Sequence, residues 1–287
     1  PLVTRVEGVL IPGGLLQFLA DGIKLIKKED LVPAAADGVL FRMAPYVVFV
    51  GGFGLFAALP FGEQLSITNL NIGVVNQLAI SSLVVVGLLM AGWGSGNKWA
   101  LFGAMRSAAQ IVSYEIPVGI TLLTMVMIAG TLNMQGIVNL QGVAHLAHEP
   151  DAARGPGHGL FDWFVFRYPL FTIPAFLVYF IGSLAEVNRT PFDIPEAESE
   201  LVAGYHTEYS GIRFSFFFMA EYAEMLAVSC IATTIFLGGW QPATPFYLTS
   251  FAGAPHWVQV IEGVVWFFAK AIFLVLIQMQ LRWTLPR

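Results

Sequence analysis

The chain has 287 residues, 56% of them hydrophobic and only 11% charged, with mean hydropathy +0.71 and formal net charge −5. Soluble chains carry roughly 25% charged residues, so an ordinary soluble domain is excluded and a polytopic, all-α membrane protein is expected. The single cysteine, Cys230, lies in an apolar stretch and reads as a packed core residue. One thiol can neither close an internal disulfide nor hold an iron–sulfur cluster, which takes about four cysteines.

In chain order, Gly13–Asp30 is too polar to span a bilayer. Leu15, Leu16, Leu19, Ile23 and Ile26 recur near helical spacing, while Asp21, Lys24, Lys27 and Lys28 fall mostly elsewhere. That pattern predicts an amphipathic helix lying in the membrane interface. Crossing the hydrocarbon takes about 20 apolar residues, and six stretches qualify: 43–60, 72–93, 111–133, 169–187, 214–238 and 257–281. Two units follow, a cytoplasmic-side segment 1–42 and a transmembrane helical domain 43–287 that includes an acidic loop, 188–213. Gly92–Asn97 reads as a turn opening a polar connection, 94–110. The 134–168 segment reads as an irregular extracytoplasmic connection whose His145, His148 and His158 are too loosely spaced for a metal site.

Orientation follows from lysine and arginine. Arg5, Lys24, Lys27, Lys28, Arg42, Lys98, Arg106, Arg189, Arg213, Arg282 and Arg287 fall on one side, Arg154 and Arg167 on the other, and Lys270 inside, which accounts for all 14. Both chain ends and the acidic loop are therefore expected on the cytoplasmic side of a bacterial inner membrane, or its organellar equivalent.

Within Ala185–Gly211 stand Glu186, Asp193, Glu196, Glu198, Glu200 and Glu208, six of the chain's 19 carboxylates, against one internal base, Arg189. A connection needing only solubility would not concentrate acid in this way. Glu115, Glu186, Glu221 and Glu224 fall inside spans, where a charge costs about 2.5–3.5 kcal/mol on insertion scales and marks function by default. If their three helices pack together, Glu115, Glu186 and Glu221 converge beneath the loop, where they could hold or pass protons. The plain alternative is that each caps a helix or pairs with Arg106, Arg189 or Arg213. Glu224 shares the Glu221 face only loosely. Lys270 lies mid-span and calls for an acidic partner.

No span holds a histidine, which excludes a bis-histidine haem, and neither a Walker motif nor a Rossmann fingerprint is present. The chain alone is therefore expected to have no redox centre, no nucleotide site and no nucleic-acid partner.

The run Glu186-Val-Asn-Arg-Thr-Pro-Phe-Asp-Ile-Pro-Glu-Ala-Glu-Ser-Glu-Leu-Val-Ala-Gly204, with Thr207-Glu-Tyr-Ser-Gly-Ile-Arg-Phe214 and Phe218-Met-Ala-Glu-Tyr222, resembles the family of the quinone-site membrane subunit of respiratory complex I. Gly14–Lys24 is similar to that family's amphipathic helix, and Trp266–Lys270 with Leu281–Arg287 to its penultimate transmembrane helix. The resemblance implies a membrane subunit of a proton-pumping NADH:quinone oxidoreductase that frames the quinone chamber, with quinone as substrate. It also implies neighbours in the membrane arm and quinone-proximal hydrophilic subunits, with flavin and iron–sulfur clusters held by partners. It assigns Glu115, Glu186, Asp193, Glu196, Glu198, Glu200, Glu208 and Glu221 to a proton path. It assigns Gln17, Asp21, Arg189, Phe192, Arg213 and Arg282 to the chamber, its entrance or the arm interface.

Three departures stand out. The family pattern has eight spans, so truncation at both ends is expected. The family's Arg-x-Gly-Pro-Asn-Arg stretch is not recognisable in Arg5–Pro12, and Glu224 stands where a neutral polar residue is expected. Three other readings compete: the membrane anchor of a proton-pumping hydrogenase, a stand-alone proton-coupled transporter, and a purely structural scaffold. The Pro-Phe-Asp-Ile-Pro-Glu-Ala-Glu and Glu-Tyr-Ser-Gly-Ile-Arg runs favour complex I over the first. The absence of paired broken helices in repeated halves counts against the second.

Overall fold

Six helices long and apolar enough to cross a membrane make up most of the described chain. The computed structural model describes residues 3–6, 9–12, 17–63, 65–141, 159–193, 202–244 and 256–284. A short antiparallel ribbon, β1 (Val3–Val6) and β2 (Val9–Pro12), precedes the helices and is the small exception to the all-α expectation. The amphipathic helix α1 covers Gln17–Lys27. Next come α2 (Gly38–Gly54, continued by a 3₁₀ turn to Ala58), α3 (Gly73–Gly94) and α4 (Lys98–Ala129). The short α5 (Met134–Leu140) and α6 (Phe164–Arg167) lead to α7 (Pro169–Glu186), α8 (Gly211–Phe236) and α9 (His256–Thr284).

Local chemistry sets the helix starts. The Asp37 side chain accepts hydrogen bonds from the Val39 and Leu40 amides, so α2 begins ahead of the apolar run that marks it. Asn97 caps α4 through the Trp99 amide, and Gly130 ends that helix in a left-handed conformation (φ 69°). α2 packs on α3 and α8, α3 on α4, α4 on α7, and α8 on α9. Lipid is as apolar as leucine, so close backbone approach rather than water exclusion drives such packing. A Cβ on Gly87 would meet Val48 Cγ2 at 2.5 Å, which is how near α2 and α3 come. The outer surfaces remain apolar, with Leu170, Phe171, Met127 and Phe273 exposed, as suits helices facing lipid or neighbouring subunits.

Two sequence expectations need correction. Residues 98–110 are not a loop but the first turns of α4, which runs on well past the Glu186 end of α7. Lys98 and Arg106 are exposed there, while Ser107 and Gln110 face the acidic loop, and this run of polar residues is why a hydropathy reading cut the helix short. The connection after α4 is not wholly irregular either. In α5, Met134, Ile137 and Val138 are buried in the main core with Tyr179, Phe236 and Phe267. His145, His148 and His158 lie outside the described residues.

α1 docks on the start of α8 through its trailing turn. Arg213 pairs with Asp30 at 2.8 Å, and the Ser210 hydroxyl donates to the Glu29 carbonyl at 3.1 Å.

Candidate functional site

Four half-buried carboxyl groups meet between α3, α4, α7 and α8. Glu115 lies 17 residues beyond Lys98, about 25 Å along α4 at 1.5 Å per residue. Its Oε1 accepts a hydrogen bond from the Ser82 hydroxyl at 2.5 Å. Glu186, the last residue of α7, lines a cavity with Ser81 and lies within charge range of Glu115. Glu224 lies within range of both Glu186 and Glu221. Gln77, Ser81, Tyr179, Glu186 and Glu224 line one cavity of about 30 Å³. That is room for about two waters. Glu224 Oε1 and Gln77 Oε1 are buried with no hydrogen-bond partner among the described residues, so water in this cavity would have acceptors to bind.

Glu221 stands one step aside. Its Oε1 lies 3.0 Å from Arg189 Nε, and the two side chains are 14% and 12% exposed. The Arg189 guanidinium also sits over the Tyr222 ring, 4.4 Å from its centroid. The structure therefore gathers Glu115, Glu186 and Glu221 as the sequence suggested and brings in Glu224. It also realises the arginine pairing of the plain alternative at Glu221.

The early turns of α4 form the bed for the acidic loop. Gln110 Nε2 donates to the Ala185 carbonyl (2.8 Å), Asn188 Oδ1 (3.1 Å) and the Phe192 carbonyl (2.8 Å). Asn188 in turn donates to the buried Ser107 hydroxyl at 3.0 Å. Where the loop returns, a Cβ on Gly103 would fall 2.6 Å from Gly204 Cα and 2.9 Å from the Tyr205 amide, so only glycine admits this backbone contact. Tyr209 stacks on Phe41 with centroids 4.2 Å apart and donates to the Phe41 carbonyl at 3.1 Å. Burial pushes its phenol above the ordinary range, so it stays neutral and keeps that donor.

The loop acids do not all join the cluster. Asp193 is half-buried just beyond Phe192. Glu208 accepts from Asn97 Nδ2 at 2.7 Å, at the start of α4 and about 27 Å from Glu115 along the helix. Glu196, Glu198 and Glu200 lie outside the described residues.

Of the residues assigned to a quinone chamber, Arg189 and Arg282 line one cavity of about 100 Å³ with Tyr222, Met225, Gln278, Met279 and Trp283. Phe192 rests against Tyr114, centroids 5.4 Å apart. Gln17 and Asp21 bond to each other on α1 at 3.1 Å, and Arg213 is committed to Asp30, so these three lie apart from that cavity. Sequence reading missed Ser81, Ser82, Gln77 and Gln110. Single polar residues within apolar helices carry no spacing signal.

Lys270 departs from expectation. It donates to the carbonyls of Leu237 (2.8 Å) and Gln241 (2.9 Å) and lies over Trp163 at 4.4 Å, with no carboxylate among these partners. Gln141 completes the same job, donating to Thr234 and Ile235 carbonyls at 3.0 and 3.1 Å and accepting from the Gly238 amide at 3.0 Å. Together they satisfy the open carbonyls at the buried end of α8. Lys270→Met keeps the volume but leaves two buried carbonyls without their donor. The expected cost is on the order of 2 kcal/mol, read as a lower thermal-inactivation midpoint with turnover retained at low temperature. An unchanged midpoint would mean that other donors serve those carbonyls.

A family model described as NADH dehydrogenase matches residues 5–287. An NADH-quinone oxidoreductase subunit of Chlorobaculum parvum is 51% identical over 96% of this chain and 72% of its own length. The like-named protein of Chlorobium luteolum is 52% identical over 96% of this chain and 70% of its own. That of Bacteroides thetaiotaomicron is 45% identical over 96% and 71%. With the family match running over nearly all of the chain, and with six membrane-spanning helices around a buried carboxyl cluster, this integral membrane protein belongs to the NADH dehydrogenase family.

Proposed function

We propose that this chain is the membrane subunit of a proton-translocating NADH:quinone oxidoreductase that frames the quinone chamber and passes the consequences of quinone reduction to buried carboxyl groups. The observation that carries the reading is the gathering of Glu115, Glu186, Glu221 and Glu224 from three helices directly beneath the acidic loop. Family membership supports the enzyme context, in which flavin and iron–sulfur clusters belong to hydrophilic partner subunits and other membrane-arm subunits receive the protons. The acidic loop faces the cytoplasm of a bacterial cell in this reading, in keeping with the bias of lysine and arginine.

Each group then has a task. Arg189 and Arg282, on the walls of one cavity, meet the quinone head or the charge that develops on it. A change there alters the hold of Arg189 on Glu221. Glu224 and Glu186 respond through their shared cavity, and Glu115 takes the proton into the membrane arm. Apolar walls around the carboxyl groups strengthen every charge interaction between them.

The test is Glu221→Gln in the native membrane, with quinone-dependent NADH oxidation and the proton gradient recorded in one assay. Loss of both from an assembled complex is the expected result. Unchanged turnover and pumping would remove Glu221 from the coupling path and favour the scaffold reading.

A further inference from the structure

Two neighbouring serines on α3 each face one acid of the cluster. The Ser82 hydroxyl donates to Glu115 Oε1 at 2.5 Å, and Ser81 faces Glu186 in the cavity that both line. Both hydroxyls also lie within bonding distance of a single backbone oxygen, the Leu78 carbonyl, at 3.0 Å for Ser81 and 2.9 Å for Ser82. A hydroxyl has one proton and two acceptor lone pairs. Each serine therefore has two resting orientations: donate to its carboxylate, or donate to Leu78 and accept from the protonated acid.

A serine that only soothed its own helix would need Leu78 alone, as Thr121 uses Val118. Here the helix bond holds each oxygen in place while its proton can face either way. Ser81 also lines the cavity that holds Glu186 and Glu224. Because both serine oxygens lie within 3.0 Å of the one Leu78 oxygen, they stand no more than about 6 Å apart, a span that one water beside Ser81 can bridge.

We infer that Ser82 and Ser81 are the hydroxyl relay through which Glu115 and Glu186 exchange a proton. The inference rests on the proton-path reading above. In one transfer from Glu186 to Glu115, the Glu186 acid gives its proton to Ser81 Oγ, and the Ser81 proton passes to a cavity water. That water gives one of its own protons to Ser82 Oγ, and the Ser82 proton moves to the Glu115 carboxylate. Every oxygen between the ends loses one proton as it gains one, so only the two acids change state. The chain is reset when Ser81 turns its proton from Glu186 toward the water, the water turns one toward Ser82 and Ser82 turns its own toward Glu115, with the Leu78 carbonyl holding both serine oxygens in place. Neither serine meets quinone, so both are positioning and relay residues rather than catalytic ones.

The experiment compares Ser81→Ala, Ser82→Ala and the double variant with Ser81→Thr and Ser82→Thr and with Glu115→Gln, all in the assembled complex. Turnover and proton translocation are measured together, with infrared difference spectra of the carboxyl groups on quinone reduction. The double alanine variant is expected to lose about tenfold or more in coupled turnover. Its carboxyl difference band should be shifted or lost, while the threonine variants, which keep the hydroxyl, retain both activity and band. If Glu115→Gln stops pumping while the double alanine variant pumps normally with an unchanged band, the relay is overturned and the proton path survives. If Glu115→Gln itself pumps normally, the proton path through Glu115 fails and the relay with it. Alanine and threonine variants that are equally impaired would make the serines packing residues and overturn the relay.

Discussion

Replacing Arg189 with leucine is expected to cost about 3–5 kcal/mol and to abolish quinone-dependent turnover. The guanidinium lies 3.0 Å from Glu221, and both side chains are close to nine-tenths buried. Removing one member of such a pair leaves a desolvated charge behind, which costs far more than the pair itself contributes. Arg189 also covers the Tyr222 ring at 4.4 Å, an interaction that lysine would make less well because it lacks the flat guanidinium. The measurement is the yield and thermal-inactivation midpoint of the assembled complex. Adding Glu221→Gln to Arg189→Leu should recover much of the lost stability while leaving the complex inactive. If the double variant is no more stable than the single one, the arginine is held by its cavity with Arg282, and the ion pair is incidental.

The membrane-spanning body of this fold was plain in the sequence because hydropathy is a bulk property of about 20 residues, and all six long helices register strongly on it. The start of α4 was not. Ala100, Gly103, Ala104 and Ser107 are buried by the acidic loop and by α3, contacts that no local pattern announces. The intramembrane acids stood out by their expense, and their convergence could be argued from their lying near one membrane level on three spans. Their partners could not. Ser81, Ser82 and Gln77 are ordinary residues within an apolar helix until the fold turns them toward Glu186 and Glu115. Lys270 shows the opposite error. Its charge was noticed, but a carboxylate partner was expected because isolated charges invite opposite charges. The fold supplies instead the open carbonyls at the end of α8, electronegative groups that any buried helix terminus must satisfy.

Gln110→Leu should separate assembly from coupling more cleanly than any change to an acid. Gln110 carries no charge and touches none of the cluster carboxyl groups in its own hydrogen bonds, yet its amide ties α4 to Ala185 in the last turn of α7 and to Asn188 and Phe192 at the loop's entry. Arg189 lies between those anchors, so the amide fixes where the guanidinium stands relative to Glu221. Leucine nearly conserves the volume and removes the two N–H donors that these three acceptors share, at about 1 kcal/mol per donor. A shift of about 1 Å in a positioning group can cost on the order of 100-fold in rate. Quinone-dependent NADH oxidation is therefore expected to fall steeply, while reduction of a water-soluble acceptor by the same assembled complex stays near its normal rate. Asn188→Ala, which removes only one of the three acceptors and the bond to Ser107, should fall between the two. If Gln110→Leu leaves quinone turnover unchanged, the loop's entry is held by Gly103 and Tyr209 at its far end, and the position of Arg189 is set from there.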